Sequence, residues 1–257
     1  MTEFAEERRT EILKLLDKNA SVQVSEIAQQ FGVSRVTARS DLDTLAKDGK
    51  LRRTHGGAVS LGRALTVSVQ DKRMNVNVEA KRLIAERAAE FVQDSMSVLV
   101  DTGTTGLALV RALRERRGLM IITADLTIAD YVDRSLPESD VFLLGGKLRK
   151  GHRYVTGPAT VRALSTLHPD ISFVCPTAYS SQNGFATNFE GMAQLKQAFL
   201  KCAAVTYVMM DAEKINAPGL FSFGFPKDAD AIICDSDPIG IMADATEDIS
   251  TRLILAK

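Results

Sequence analysis

Seven short apolar runs decide most of what this chain can become. They lie at 98–100, 120–122, 141–144, 171–175, 205–210, 231–234 and 253–255. Apart from Ser172 and Thr206 they are unbroken in apolar residues rather than alternating, the pattern of a strand buried on both faces. Helical patterns separate them. Residues 79–92 carry Leu83, Ile84, Ala88 and Phe91 on one side, and further helices are expected at 106–115, up to Asp133, and at 190–202. This alternation predicts an α/β fold with a mostly parallel sheet covered on both faces. The polar loops follow strands, so they gather on one rim, beyond the carboxyl ends, where open α/β sheets bind ligands.

The first 60 residues follow a different pattern. A helix is expected over 6–18, with Ile12, Leu13, Leu15 and Leu16 inward and a break at Asn19-Ala20. Val22 and Val24 alternate with polar residues, which predicts a brief extended piece. Ser25 then caps a short helix over 26–31, and Gly32 supplies a turn. Ser34 is the next N-cap. The helix it opens runs to Lys47, with Val33, Ala38, Leu42 and Leu45 inward. That leaves Arg35, Val36, Thr37, Arg39 and Ser40 facing out. The surface is basic, polar and carries one methyl-rich side chain. It suits a major groove, where Arg bonds guanine and an aliphatic group meets the thymine methyl. An ordinary solvated amphipathic helix is the competing reading of these residues alone.

Asp48-Gly49 ends that helix, with glycine able to turn left-handed past its terminus. Residues 50–59 read as a hairpin around Gly56-Gly57. Helix, helix, turn, helix and basic hairpin make the order of a winged helix-turn-helix. On the wing, Arg52, Arg53, His55 and Gly56 would meet phosphates and supply affinity more than sequence choice. The charge supports this division. Residues 34–63 hold seven Lys or Arg against three Asp, while the whole chain is neutral, so the remainder is acidic by four. A basic module carried by a domain with another task is expected.

On the rim, Asp101-Thr102-Gly103-Thr104-Thr105 can cradle an anion. Gly103 admits close backbone approach, the Thr104 and Thr105 hydroxyls donate, and a helix N-terminus follows. Such a loop is as often only a strand-to-helix turn. Asp101 would repel phosphate, so it takes a sugar hydroxyl or braces the loop. Gly145-Gly146 with Arg149 offers a second loop and a cation. Lys196 lies on the helix 190–202, where a solvated lysine is the plain alternative. Lys214 follows the strand 205–210 onto the same rim.

Residues 6–59 resemble the N-terminal domain of the DeoR family of bacterial sugar-metabolism regulators. The likeness rests on Arg9, Val33-Ser34, Thr37-Ala38-Arg39, Asp41-Leu42 and His55-Gly56-Gly57-Ala58. Ser40 stands where the family usually has a second basic residue. The rest of the chain resembles the family's effector domain, whose fold is related to ribose-5-phosphate isomerase and the coenzyme A transferases. Here the likeness lies in Asp101–Thr105, Thr123–Asp125, Gly145 to Arg149, Asn183-Gly184, Lys196 and Asp211–Lys214. Asp125 and Met192 depart from the usual residues. The resemblance implies a site for a phosphorylated sugar lined by Asp101, Gly103, Thr104, Thr105, Thr123, Asp125, Gly145, Gly146, Arg149, Lys196 and Lys214. It also implies that occupancy weakens the hold on double-stranded operator DNA.

The organisation read from the sequence is a DNA-binding domain over 1–60, a linker over 61–77 and a sugar-phosphate-sensing domain over 78–257. A repressor of carbohydrate use, acting as a homo-oligomeric dimer or tetramer, is expected. The rival is an isomerase-like enzyme with a DNA-binding appendage, since Asp101, Asp125 and Lys196 could do acid–base work. No nucleophile–base pair is evident, so no catalytic residue is assigned. No run of about 18 apolar residues exists to span a membrane. The acidic start lacks an apolar signal core, which predicts a cytoplasmic protein. His55, His152 and His168 form no ligand pattern, and no metal or cofactor is expected. Cys175, Cys202 and Cys234 are odd in number and set in apolar surroundings, so buried thiols are expected.

Overall fold

The computed structural model describes residues 2–19, 21–53, 57–60 and 76–256. They fall into two units, one within Met1–Lys72 and one within Arg73–Lys257.

The first unit contains α1 (Thr2–Asn19), β1 (Ser21–Gln23), α2 (Val24–Gln30), α3 (Arg35–Lys47), β2 (Leu51–Arg53) and β3 (Gly57–Ser60). Ile12, Leu16, Ile27, Ala38, Leu42 and Leu45 form its core. At the start of α3 the Ser34 hydroxyl accepts the Thr37 N–H at 3.1 Å. At its end Lys50 N–H reaches the Leu45 carbonyl and Gly49 N–H the Ala46 carbonyl, with Gly49 at φ 67°. That is the Schellman arrangement glycine favours.

Three local expectations need correction. Val24 is not extended and Ser25 is not a cap. Val24 opens α2 and is buried beside Val22. Starting there puts Glu26 at the third helical position, where its carboxylate accepts the Gln23 N–H at 2.9 Å. Gly57, expected in the hairpin turn, is instead the first residue of β3. That strand lies between β1 and β2 and is antiparallel to both. A Cβ on Gly57 would stand 1.9 Å from the Val22 carbonyl oxygen, so β1 can approach only a glycine. The turn at 54–56 lies outside the described residues.

Asp41 is the least expected member of this unit. It is 2 % exposed, and its two oxygens accept Arg8 Nε at 2.6 Å and Arg9 Nε at 2.9 Å. A buried carboxylate is tolerable only when paired, and this pairing locks α1 to α3. Asp41→Ala is therefore expected to destabilise the first unit by about 3 kcal/mol, read by urea unfolding of the full chain. A loss under about 0.5 kcal/mol, the range of an ordinary surface substitution, would contradict the assignment.

The second unit begins with α4 (Val78–Ala89), β4 (Ser97–Val100), α5 (Thr104–Ala112), β5 (Met120–Thr123), α6 (Leu126–Ser135) and β6 (Asp140–Leu143). It continues through β7 (Lys147–Arg149), β8 (Tyr154–Thr156), α7 (Pro158–Leu164), β9 (Ile171–Val174), β10 (Ala178–Ser180) and β11 (Gly184–Thr187). It ends with α8 (Glu190–Cys202), β12 (Val205–Met210), β13 (Phe221–Gly224), β14 (Ala231–Cys234), α9 (Ile241–Thr246) and β15 (Arg252–Leu255).

Seven strands form one sheet in the order β15-β14-β12-β9-β4-β5-β6, and every pair is parallel. Successive strand residues point to opposite faces. Val98, Val100, Phe173 and Met209 join α4, α5 and α6 in one core, while Leu99, Val174, Val208 and Met210 join α8 in the other. The expected double covering is thus present. Helix bounds differ slightly. α4 stops at Ala89 rather than 92, and α5 spans Thr104–Ala112 rather than 106–115. Gly103, at φ 110°, takes the N-cap and lets α5 start directly after the loop. A small antiparallel sheet, β10-β11-β13, and the β7-β8 pair were not expected.

Candidate functional site

The outward face of α3 matches its expectation. Arg35, Arg39 and Ser40 are exposed, and Val36 is 73 % exposed although apolar. Thr37 is half-buried, and its hydroxyl shares a 2.9 Å hydrogen bond with that of Ser34. Arg53 is held within the unit rather than standing open on the wing. Its Nε pairs with Asp43 at 2.7 Å and its Nη1 donates to the Gly57 carbonyl. Arg52 lies in β2 opposite Val59. Its side chain, with His55 and Gly56, lies outside the described residues.

In the second unit the strand order runs outward from β4 in both directions. β5 and β6 lie on one side; β9, β12, β14 and β15 lie on the other. The crevice between β4 and β9 is therefore the topological switch point, the usual ligand position in such sheets. Asp101 follows β4 there and Cys175 follows β9. Asp101 is fully buried. Its Oδ1 accepts the Thr102 N–H at 2.7 Å and its Oδ2 accepts the Cys175 N–H at 2.8 Å. The same Oδ2 is paired with Lys196 Nζ, which also donates to the Cys175 carbonyl at 2.8 Å.

Lys196, only 3 % exposed, is thus neither a solvated lysine nor an open cation. A full charge this deep needs a counter-charge, and Asp101 supplies it. Asp101 in turn braces the loop. Burial pushes the Cys175 thiol up from its ordinary value, and the Asp101 carboxylate adds to this; Lys196 and, further down, Lys214 oppose it. Lys214 therefore lies within electrostatic reach of the same cluster.

The neighbouring loop is tied in through Asp125. Its Oδ2 accepts the Gly103 N–H at 2.9 Å, and its Oδ1 caps α6 by accepting Thr127 and Ile128 N–H groups at 2.7 and 3.3 Å. Thr123 Oγ1 accepts the Asp125 N–H at 3.1 Å. Thr104 and Thr105, half-buried, begin α5, whose first turn has no side-chain cap. A Cβ on Gly106 would come 2.3 Å from the Asp101 carbonyl oxygen, so α5 packs this tightly against the loop only with glycine there.

Gly145 and Gly146 are exposed, and Thr160 donates to the Gly145 carbonyl at 2.8 Å. Arg149 lies over the Phe189 ring at 4.1 Å and donates to the Tyr154 hydroxyl. The Tyr154 backbone bridges Asp125, so Arg149 joins the same network. Lys214 Nζ is 3.8 Å from Asp211 Oδ2, and Asn77 Nδ2 donates to Asp211 Oδ1 at 2.9 Å. Asp211 and Asn77 were not singled out as site residues. Their signal was faint, an acid after a strand and an amide before a helix.

Two sequence-family matches cover most of the chain. Residues 8–64 match the DeoR-like helix-turn-helix domain and residues 76–236 match the DeoR C terminal sensor domain. The chain belongs to the DeoR family. Among curated DeoR-family relatives it is 31 % identical to the putative aga operon transcriptional repressor of Escherichia coli O157:H7, over 94 % of this chain and 89 % of that one. It is 27 % identical to the transcriptional regulator GlpR of Haloferax volcanii, over 95 % and 94 %. Among solved structures it is similar to ribose 5-phosphate isomerase A of Methanocaldococcus jannaschii, at 17 % identity and a TM-score of 0.40, over 54 % and 55 %. Among the described residues of this DeoR-family chain, no helix is long and apolar enough to cross a membrane. Nor does any group of three or more His, Cys, Asp or Glu there have metal-holding geometry.

The Asp101–Lys196 pair makes a direct prediction. Lys196→Met keeps the length of the side chain and strands a buried carboxylate. It should cost the second unit about 3–5 kcal/mol in denaturant unfolding. A cost under about 1 kcal/mol would mean that the pair does not hold the loop.

Proposed function

We propose that the chain is a DNA-binding transcriptional regulator of the DeoR family, a cytoplasmic repressor of a carbohydrate-utilisation operon. A phosphorylated sugar on the rim of the second unit weakens its hold on the operator. The observation that carries the DNA half is the division of α3. One side is sealed in the core by Ala38, Leu42 and Leu45, and the other presents Arg35, Val36 and Arg39. An exposed valine between two arginines is poorly suited to water and well suited to a major groove, where a methyl contact lies beside guanine acceptors. Arg52, Arg53 and His55 would add contacts to the phosphate backbone.

For the effector half, the uncapped head of α5 with Thr104 and Thr105 offers donors, and Lys214 offers a charge. Gly145, Gly146 and Arg149 would close the other side. Asp101, Thr123, Asp125 and Lys196 act beneath them as the frame. The state of the acids also favours a sensor over a catalyst. Asp101 is spent on Thr102, Cys175 and Lys196, and Asp125 on Gly103, Thr127 and Ile128. Neither is poised to move a proton. The effector can release DNA only by binding the DNA-free arrangement better than the DNA-bound one. A single winged module reads a short site, so a homo-oligomer, dimer or tetramer, on a repeated operator belongs to the same reading.

The DNA half is tested by anisotropy titrations of a selected operator duplex at fixed salt. Arg39→Ala should weaken binding by about 1–3 kcal/mol if the side chain is bidentate to guanine. Arg53→Ala should weaken it less, because Asp43 and the Gly57 carbonyl already hold that guanidinium. Parental affinity in Arg39→Ala would remove α3 as the reading helix.

A further inference from the structure

One atom on the rim is unfinished. Asp211 is 2 % exposed, and among the described residues its Oδ2 has no hydrogen-bond partner. Its other oxygen is satisfied by Asn77 Nδ2 at 2.9 Å. Lys214 Nζ, at 3.8 Å, gives Oδ2 a counter-charge but no hydrogen bond. Native interiors pair nearly all such atoms, and a buried ionised acceptor without a donor is among the costliest exceptions. The fold also spends two residues on aiming this carboxylate. Asn77, in the left-handed conformation at φ 52°, stands immediately before α4 and turns its amide onto Oδ1. The Ala212–Lys214 turn then brings Lys214 back beside Oδ2.

An acceptor held in readiness beside a cation implies a ligand with two kinds of group. We propose that Asp211 Oδ2 accepts a hydroxyl of the bound effector while Lys214 faces its phosphate, so Asp211 reads the polyol part of the molecule. Asn77 is the positioning residue for that acceptor. A carboxylate next to the anion site opposes phosphate alone, whereas a ligand that brings a hydroxyl supplies the missing donor. Asp211 therefore selects phosphorylated polyols over inorganic phosphate. This inference rests on the rim reading given above and adds the residue that recognises the sugar.

The test is calorimetric titration of the full chain with pentose and hexose phosphates, with inorganic phosphate as the probe that carries no carbon-bound hydroxyl. Asp211→Asn keeps the shape but puts an amide donor or a weaker neutral acceptor where the carboxylate was. The tightest sugar phosphate should bind about 10- to 100-fold more weakly to it. Inorganic phosphate should bind as in the parent or more tightly, because a negative charge has gone. Asn77→Gly, which tolerates the positive φ and removes only the amide, should weaken the sugar phosphate by about 3- to 10-fold and leave inorganic phosphate unchanged. It carries the test alone if the first variant does not fold. Parental sugar-phosphate affinity in the folded variants overturns the role of Asp211 and leaves the rim reading standing. Equal losses for sugar phosphate and inorganic phosphate overturn it as well. A parent chain that binds no sugar phosphate overturns both readings together.

Discussion

A carboxylate and an ammonium shut away from water hold the second unit's rim in place. Either Asp101 or Lys196 alone would be untenable at that depth, and together they are acceptable because each also bonds to backbone, Asp101 to the Thr102 and Cys175 N–H groups and Lys196 to the Cys175 carbonyl. Cys175 supplies both an N–H to Asp101 and a carbonyl to Lys196, so the pair pins the ends of β4 and β9 to α8. The loop leaving β4 has little freedom left. Gly103 is fastened to Asp125, and Gly106 lets α5 close onto the Asp101 backbone. An effector site of the kind proposed, built on such a frame, would be formed before the ligand arrives, so little conformational entropy would be lost on binding.

The first unit uses the same device on a smaller scale. Asp41 draws Arg8 and Arg9 inward and fixes α1 against α3. Arginines in this unit thus divide by task. Arg8, Arg9 and Arg53 have carboxylate partners, whereas Arg35 and Arg39 have none among the described residues. Fixing the helix that carries these last two from behind keeps a rigid surface available to DNA, and rigidity lowers what is lost when long side chains are ordered on binding.

The sheet was legible because its strands are predominantly apolar runs, a signal that survives without any knowledge of pairing. The α3 helix was legible from its Ser34 cap, its inward stripe and its Gly49 terminus, all local features. The small sheet β10-β11-β13 was not. Its strands are three or four residues long, with β11 opening on Gly184 directly after the turn at 181–183, so neither period nor composition marks them. Lys196 was not legible as a buried, paired cation for a related reason. Helical spacing placed it among core residues, but only the approach of Asp101, 95 positions earlier, decides whether such a lysine is buried or solvated. Asp41 and Asp211 follow the same rule: their position in the sequence is visible, but a burial that depends on a partner distant in sequence is not. Wing residues Arg52 and His55 stay as the sequence left them, expectations of phosphate contact.

On the proposed reading, occupancy of the rim and grip on the operator are one equilibrium. Thermodynamic linkage makes that claim two-sided, because the factor by which effector weakens DNA binding must equal the factor by which DNA weakens effector binding. The most direct measurement determines both. Operator affinity is titrated with and without a saturating sugar phosphate, and sugar-phosphate affinity is titrated with and without saturating operator. Two matching factors are expected, each in the range of about 5- to 150-fold. Tight sugar-phosphate binding that leaves operator affinity unchanged in both directions would contradict that reading.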